Sequence, residues 1–236
     1  MPESNRVYVV GDIHGRVDLL RRLHALMRED FASTPPGSRL WVVYLGDYID
    51  RGETSRQVVD LLLDEPLPAS ETVYLKGNHE AELSHFFGDP GAGHQWFQYG
   101  GLATLLSYRV RVPSVVVPSE RMRIVRDELI RVMPERHQLF FARLKLFVEI
   151  GDYFFVHAGI APGVPLARQN PADLLWIREP FLVSTLHHEK VVVHGHTVFK
   201  EPMVLPNRIG LDTGAYFTGK LTCLVLEGEG RRFITT

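Results

Sequence analysis

Aspartate, histidine and asparagine recur beside glycine at five places along this 236-residue chain. Gly-Asp-Ile-His-Gly spans Gly11 to Gly15, and Gly-Asp-Tyr-Ile-Asp-Arg-Gly spans Gly46 to Gly52. Gly-Asn-His-Glu follows at Gly77 to Glu80, Val-His-Ala-Gly at Val156 to Gly159, and His-Gly-His-Thr at His194 to Thr197. These residue types bind metals through oxygen or imidazole nitrogen, and none of the motifs offers a thiolate. Such a mixture suits manganese, iron, zinc or cobalt better than a soft metal. Together the motifs supply the ligands of a two-metal hydrolase, with manganese placed first and the choice of ion left open. One Gly-Asp-x-His-Gly alone would carry little, because a β-turn uses the same letters. The weight lies in five motifs in sequence.

Each motif directly follows a run of β-branched or aromatic residues. Val-Tyr-Val-Val precedes the first, Trp-Val-Val-Tyr-Leu the second, Thr-Val-Tyr-Leu the third, Tyr-Phe-Phe-Val the fourth and Val-Val-Val the fifth. Such runs read as buried strands. Glycine lets the backbone turn sharply at a strand end, so the ligands converge at the carboxyl edge of a sheet, where open α/β folds place their sites. Leu20, Leu23, Leu26 or Met27, and Phe31 recur at helical spacing, which predicts an amphipathic helix over residues 17 to 31. Thr54 and Gln57 form a capping box ahead of Val58, Val59, Leu61, Leu62 and Leu63. Gly88 to Gly93 breaks the pattern, and from there to about residue 144 the chain reads as helices around a Pro-rich stretch, Val112 to Pro118. Ser119 caps a helix bearing Met122, Val125, Leu129 and Val132, and Pro134 opens the next. Because this segment, about 88–144, carries no ligand motif, it is expected to be a helical cap inserted over the metal edge of a single domain, 1–236, and to set specificity. The tail returns to strands over 203–211, 220–227 and 231–235, with turns at Gly214 and at Gly228 to Gly230.

This order of motifs resembles the calcineurin-like metallophosphoesterases, and within them the phosphoprotein phosphatase family that includes bacterial and phage serine/threonine phosphatases. The resemblance covers most of the chain. It implies an α/β fold, a β-sandwich flanked by helices, built around a dinuclear metal centre. Asp12 and His14 look like ligands of the first metal, Asp47 like the carboxylate bridging both, and Asn78, His157 and His196 like ligands of the second. Chemistry favours that set: two carboxylates against two divalent ions leave positive charge over, so a phosphate ester and a hydroxide bind without like-charge penalty. A water shared by two such ions has its pKa lowered from about 15.7 to about 7. Arg51, in Asp-Arg-Gly, and Arg178, in Leu-Leu-Trp-Ile-Arg-Glu, resemble the paired arginines that hold phosphoryl oxygens. His79 resembles the family's general acid and Asp50 the carboxylate that orients it. The implied mechanism is in-line attack on phosphorus by a hydroxide bridging two metals. Both arginines neutralise the equatorial oxygens, and His79 protonates the leaving group.

The resemblance implies a phosphomonoesterase, first of all a serine/threonine protein phosphatase, given the Asp-Arg-Gly and Gly-Asn-His-Glu forms of motifs two and three. The alternative is a hydrolase of dinucleoside polyphosphates such as diadenosine tetraphosphate. That neighbouring family shares the fold and nearly all the ligands but tends to vary the residues around Asp50 and Glu80. A non-catalytic phospho-dependent scaffold is the third reading, and it would be expected to have lost a ligand or the His79 equivalent. In relatives that cleave diesters, a second ligand histidine often follows the first by two residues, where this chain has Val198. His194 is therefore read as a core histidine or one that steadies a ligand, and Asp212 as either a bond to a ligand histidine or a turn residue.

With 26 basic against 28 acidic residues the net charge is only -2, so no global field invites nucleic acid or an anionic membrane. The expected partner is a phosphorylated protein or a small phosphate ester. Cys223 is the single cysteine, which excludes an intramolecular disulfide framework and fits a reducing compartment. No apolar stretch matches a signal peptide or membrane helix, and a cytoplasmic location is expected. His187 and His188 read as an exposed loop. Arg121, Arg123, Arg126 and Arg131 read first as a solvated helix face, and Trp96, Phe97 and Tyr99 as either groove lining or packing of the cap.

Overall fold

Alternating side chains along the strands divide the apolar residues among three layers. The computed structural model describes residues 5–35, 37–111 and 118–236, and of Pro118 and Ser119 the backbone alone. Strands β1 (Asn5–Val10), β2 (Arg39–Tyr44) and β3 (Glu71–Tyr74) run parallel. With β9 (Thr222–Glu227) and β10 (Gly230–Thr235) they form one sheet in the order β10-β9-β1-β2-β3. Strands β4 (Phe147–Ile150), β5 (Tyr153–Val156), β6 (Val191–His194), β7 (Met203–Val204) and β8 (Arg208–Gly210) form the second, ordered β4-β5-β6-β8-β7.

Val7 and Val9 of β1 face the second sheet and pack with Val43, Phe155, Val193 and Ile209. Their neighbours Tyr8 and Val10 face the opposite way, into the cluster under the helices. The period of two therefore makes each sheet apolar on both faces. Helices α1 (Val17–Phe31) and α2 (Ser55–Asp64) cover the outer face of the first sheet, and α1 buries Leu19, Leu20, Leu23 and Met27. On the far face, Phe154, Val156 and Val192 pack against Leu174 of α8 (Pro171–Trp176) and Phe181. The result is the expected α/β sandwich flanked by helices. No helix among the described residues is long and apolar enough to cross a membrane.

Between β3 and β4 lie α3 (Asn78–Gly88), α4 (Gly93–Gln98), α5 (Gly101–Ser107), α6 (Pro118–Val132) and α7 (Glu135–Ala142). Trp96, Leu105, Tyr108, Leu129 and Phe140 from this stretch share the buried cluster of α1 and α2. Arg136 of α7 pairs with Asp60 and Asp64 of α2. The arginines of α6 pair along their own helix, Arg123 with Glu120 and Asp127 and Arg131 with Glu128, as on a solvated face. Residues 112–117 and the side chain of Ser119 lie outside the described residues.

Three local expectations change. Thr54 stands at the start of α2 but makes no side-chain cap there. Its hydroxyl donates to the Gly15 carbonyl and accepts from the Val17 N–H at 3.1 Å, fastening the loop that carries His14 to the one that carries Arg51. The stretch 203–211 is not one strand. Pro206 and Asn207 turn it, closed by the Leu205 N–H on the Arg208 carbonyl at 2.9 Å. Beyond Gly214 the chain forms a short helix, α9 (Ala215–Thr218), instead of a plain turn.

Candidate metal centre

The site begins with backbone that ordinary residues avoid. His14, Asp47, Asp50, Arg51 and His196 have φ of 46, 52, 71, 66 and 61°, all in the left-handed region. Such conformations cost on the order of 1–3 kcal/mol each and persist where surrounding structure holds them. The glycines beside them have a further reason. A Cβ on Gly77 would lie 2.1 Å from Asp47 Oδ1, and one on Gly195 would lie 2.0 Å from Asp12 Oδ1. The carboxylates occupy the space a side chain would need.

Asp47, 1% exposed, sits at the centre. Its Oδ2 is 3.4 Å from His14 Nε2 and 3.8 Å from His79 Nε2, and its Oδ1 is 3.5 Å from His157 Nε2. Two buried donor clusters share it: one with His14 and His79, the other with His157 and His196. Asn78 Oδ1 lies 2.8 Å from His157 Nε2 and 2.9 Å from His196 Nδ1. Asp12 belongs to neither cluster, but its Oδ2 accepts the His196 N–H at 2.9 Å, joining the first motif to the last. Its Oδ1 and His196 Nε2 are buried without a hydrogen-bond partner among the described residues.

The donor set fits divalent cations. His14 Nδ1 lies 3.0 Å from the Ile49 carbonyl, so the neutral ring donates there and turns the Nε2 lone pair toward the Asp47 carboxylate. His157 repeats the arrangement, with Nδ1 2.9 Å from the Leu45 carbonyl. Acceptor then faces acceptor in both places. Protonation does not relieve this, because burial, ahead of nearby positive groups, holds His14 well below its ordinary pKa. Burial likewise lowers His157 to about 4. A cation does relieve it. Asp12 is pushed well above the usual carboxylate range by burial, then by Asp212 and Asp47, and Asp212 is pushed up to about 6, chiefly by burial. Buried carboxylates that repel one another call for metal charge. The two clusters are thus consistent with a dinuclear metal site.

Within the first cluster, His79 turns its Nδ1 away from Asp47 to lie 2.7 Å from Asp50 Oδ2. Trp96 Nε1–H donates to the same oxygen at 2.8 Å, and the Thr104 hydroxyl donates to Oδ1 at 2.6 Å. Burial disfavours charge on His79, yet Asp47 and Asp50 outweigh it and raise the ring above its ordinary pKa. Glu80 holds the frame: its carboxylate accepts the N–H groups of Asp47 at 2.9 Å, Tyr48 at 2.8 Å and Gly77 at 2.9 Å. Sequence reasoning missed these supports. Trp96 does not line a groove, because it is fully buried with its N–H committed to Asp50. Glu80 did leave a signal, since a carboxylate three residues into a helix reaches back to the N–H groups before it.

Arg51 and Arg178 are exposed, unlike the buried donors, and neither is paired with a carboxylate among the described residues. Arg51 Cζ lies 4.9 Å from the centre of the Tyr216 ring. Arg178 acts on His196, which burial first and Arg178 second lower to about 3. His194 packs against Phe181, 5.1 Å between ring centres, as a core histidine. Asp212 Oδ1 accepts the Gly214 N–H at 2.8 Å, which is the turn role, and among the described residues no bond joins it to a ligand histidine.

Comparison with known proteins gives the geometry a family. The chain is 27% identical over 233 residues, 92% of its length and 88% of the relative's, to an asymmetrical bis(5'-nucleosyl)-tetraphosphatase PrpE from Bacillus cereus strain 03BB102. It is 26% identical over 232 residues, with the same coverage, to the protein of that name from Anoxybacillus flavithermus. A crystal structure of a putative diadenosine tetraphosphatase superimposes with a TM-score of 0.68 at 22% identity, covering 99% of this chain and 95% of the other. A protein serine/threonine phosphatase from Saccharomyces cerevisiae shares the fold, with a TM-score of 0.55 at 13% identity over 99% of this chain and 80% of the other. Residues 5–221 match the model of the calcineurin-like phosphoesterases, and the chain belongs to that family.

Proposed function

We propose that this metal-dependent phosphoesterase hydrolyses dinucleoside polyphosphates, splitting a four-phosphate chain unequally into a nucleoside monophosphate and a nucleoside triphosphate. The observation that carries the substrate is the 27% identity along 92% of the chain to PrpE of Bacillus cereus. The reading shifts the first expectation, a phosphoprotein substrate, to second place. The scaffold reading is set aside, because the donor clusters and the His79–Asp50 pair are all present.

Asp12, His14, Asp47, Asn78, His157 and His196 would hold two divalent ions, manganese first. When bound, the ions supply a water of lowered pKa and offset phosphate charge. Arg51 and Arg178, free of carboxylate partners, bind phosphoryl oxygens at the rim and neutralise them as the transition state forms. Water, having lost a proton to solvent, adds through its oxygen to the phosphorus next to one nucleoside, and the bond to the bridging oxygen breaks in line. The bridging oxygen takes that electron pair and, as needed, the proton held at His79 Nε2. Asp50 fixes the ring by accepting at Nδ1, and Trp96 and Thr104 fix Asp50.

The test is turnover by manganese-reconstituted protein on diadenosine tetraphosphate and on a phosphothreonine peptide, with an Asp47→Asn control. Preference for the dinucleotide, with AMP and ATP as products, is expected. Preference for the peptide would return the chain to the protein phosphatase reading, which the Asp50-Arg51-Gly52 and Gly77-Asn78-His79-Glu80 sequences favour.

A further inference from the structure

Two aromatic pairs flank the candidate metal centre, and neither has a part in the chemistry above. On one side Tyr216 stands 5.6 Å from the His14 ring, and Phe217 stands 4.8 Å from Tyr216. On the other, Tyr99 lies 6.2 Å from His79 and 5.4 Å from Trp176, which in turn lies 6.3 Å from His196. In the first pair Phe217 is 59% exposed, while Tyr216, 37% exposed, has the Arg51 guanidinium 4.9 Å from its ring centre, so Phe217 offers the open surface beside a phosphate-binding group.

Rigidity comes from the short helix that presents them. Gly214 and Gly219 bracket α9 with φ of 71 and 75°, both left-handed. The Thr218 hydroxyl donates back to the carbonyls of Thr213 at 2.8 Å and Gly214 at 2.9 Å. Arg16 Nη1 donates to the Ala215 carbonyl at 3.0 Å. A Cβ on Gly214 would lie 2.5 Å from the Phe217 ring, so that ring rests on the glycine with its remaining surface outward. In the opposite pair, Trp176 ends α8, whose start is capped by the Asn170 side chain accepting the Ala172 N–H at 2.9 Å, and the Tyr99 hydroxyl accepts from Gln95 Nε2 at 3.2 Å.

We propose that Phe217 with Tyr216, and Trp176 with Tyr99, are stacking platforms for the two nucleobases of the substrate. The inference rests on the dinucleotide reading. A phosphate chain laid across the metals between Arg51 and Arg178 carries a base at each end, and an aromatic surface waits on each side of the centre. Every base has a π-face, so such platforms are tolerant of sequence and pay ordering costs once, in the folded protein.

The test is calorimetric binding of AMP and of ribose 5-phosphate to the manganese-loaded protein, in the parent, Phe217→Leu, Phe217→Trp, Trp176→Leu and Trp176→Phe. Base stacking predicts that the parent prefers AMP by roughly tenfold or more. Leucine at one position or the other should lower that ratio about fivefold or more, while Phe217→Trp and Trp176→Phe, which keep a ring, should retain it. The KM for diadenosine tetraphosphate should rise in both leucine variants. A parent ratio near one, or a ratio unmoved by both leucine substitutions, overturns the platforms. Cleavage of the dinucleotide with a ratio near one would sink the platforms alone. An intact, ring-dependent ratio without cleavage would sink the substrate reading and leave the platforms standing. Each pair is judged on its own, so loss of folding in one leucine variant leaves the other to decide.

Discussion

Replacing Asp50 with Asn should remove a charge and little else. Asp50 is fully buried, and its Oδ2 meets His79 Nδ1 at 2.7 Å and Trp96 Nε1 at 2.8 Å. The asparagine oxygen can take that position, which puts the amide nitrogen against the Thr104 hydroxyl, now 2.6 Å from Oδ1. That hydroxyl becomes an acceptor and turns its one proton to Ser55 Oγ, 3.1 Å away, so shape and hydrogen bonding survive. What is lost is the negative charge that favours a protonated His79. An adjacent carboxylate shifts an imidazole by ~1–3 pKa units, or ~1.4–4 kcal/mol, which at a pH above both values leaves about 10- to 1,000-fold fewer acid-competent rings and at lower pH a smaller factor. The assay is kcat/KM across alkyl and aryl phosphates of graded leaving-group pKa, with metal content measured alongside. Alkyl esters should lose the full factor and p-nitrophenyl phosphate little. Diadenosine tetraphosphate should also lose little, because its leaving phosphate has a pKa of only about 6. Equal losses across the series with two metals retained would refute the acid role of His79.

Asp47→Asn should weaken both ions, since both donor clusters share Asp47, and metal analysis finding two fully retained ions would exclude bridging. Gly195→Ala should drive Asp12 from its place, given the 2.0 Å approach, and lower metal affinity by about tenfold or more with the fold intact by circular dichroism. Unchanged affinity would show that Asp12 Oδ1 is no ligand. His24 is buried with Nε2 2.8 Å from the Tyr44 hydroxyl, and burial, ahead of Arg28 and Arg21, lowers it from 6.5 to about 4. Its folded pKa is depressed, so the unfolded chain binds the extra proton. Stability is then full above pH 6.5 and falls by about 3 kcal/mol as pH drops toward 4. His24→Gln should flatten urea-unfolding stability over that window relative to the parent, and identical slopes would contradict the assignment.

What was legible in the sequence is what chemistry demands locally. Asp12, His14, Asp47, Asn78, His157 and His196 could be singled out because Asp, His and Asn at glycine-flanked strand ends form a pattern, and the structure brings them close together. α1 was found at its full extent, Val17–Phe31, because its apolar stripe repeats with the helical period. The partners of Asp50 were hidden, because Trp96 and Thr104 stand 46 and 54 residues away and carry no pattern that names their acceptor. Thr54 misled because its hydroxyl had a better use across the fold, at Gly15, than in its own helix. Pro206 and Asn207 were ordinary turn chemistry inside a stretch read as one strand, a signal present and passed over. Substrate choice was least legible of all. The ligands serve any phosphate ester, and the exposed rings that would sort substrates look in sequence like ordinary apolar residues.

The hydrogen bond from the His196 N–H to Asp12 spans 184 residues of chain. During synthesis, at roughly 5–20 residues per second, that distance is a delay of about 10–40 s. From the emergence of Asn78 to that of His157, the polypeptide carries Asp12, His14, Asp47 and Asn78 but neither His157 nor His196. A translation product stopped short in that interval lacks two of the three members of one donor cluster, and no hydrolysis is expected of it. A cut between β3 and β4 would divide the donors in the same way: neither fragment alone holds both clusters, and turnover on mixing would report that β9 of one fragment had paired with β1 of the other.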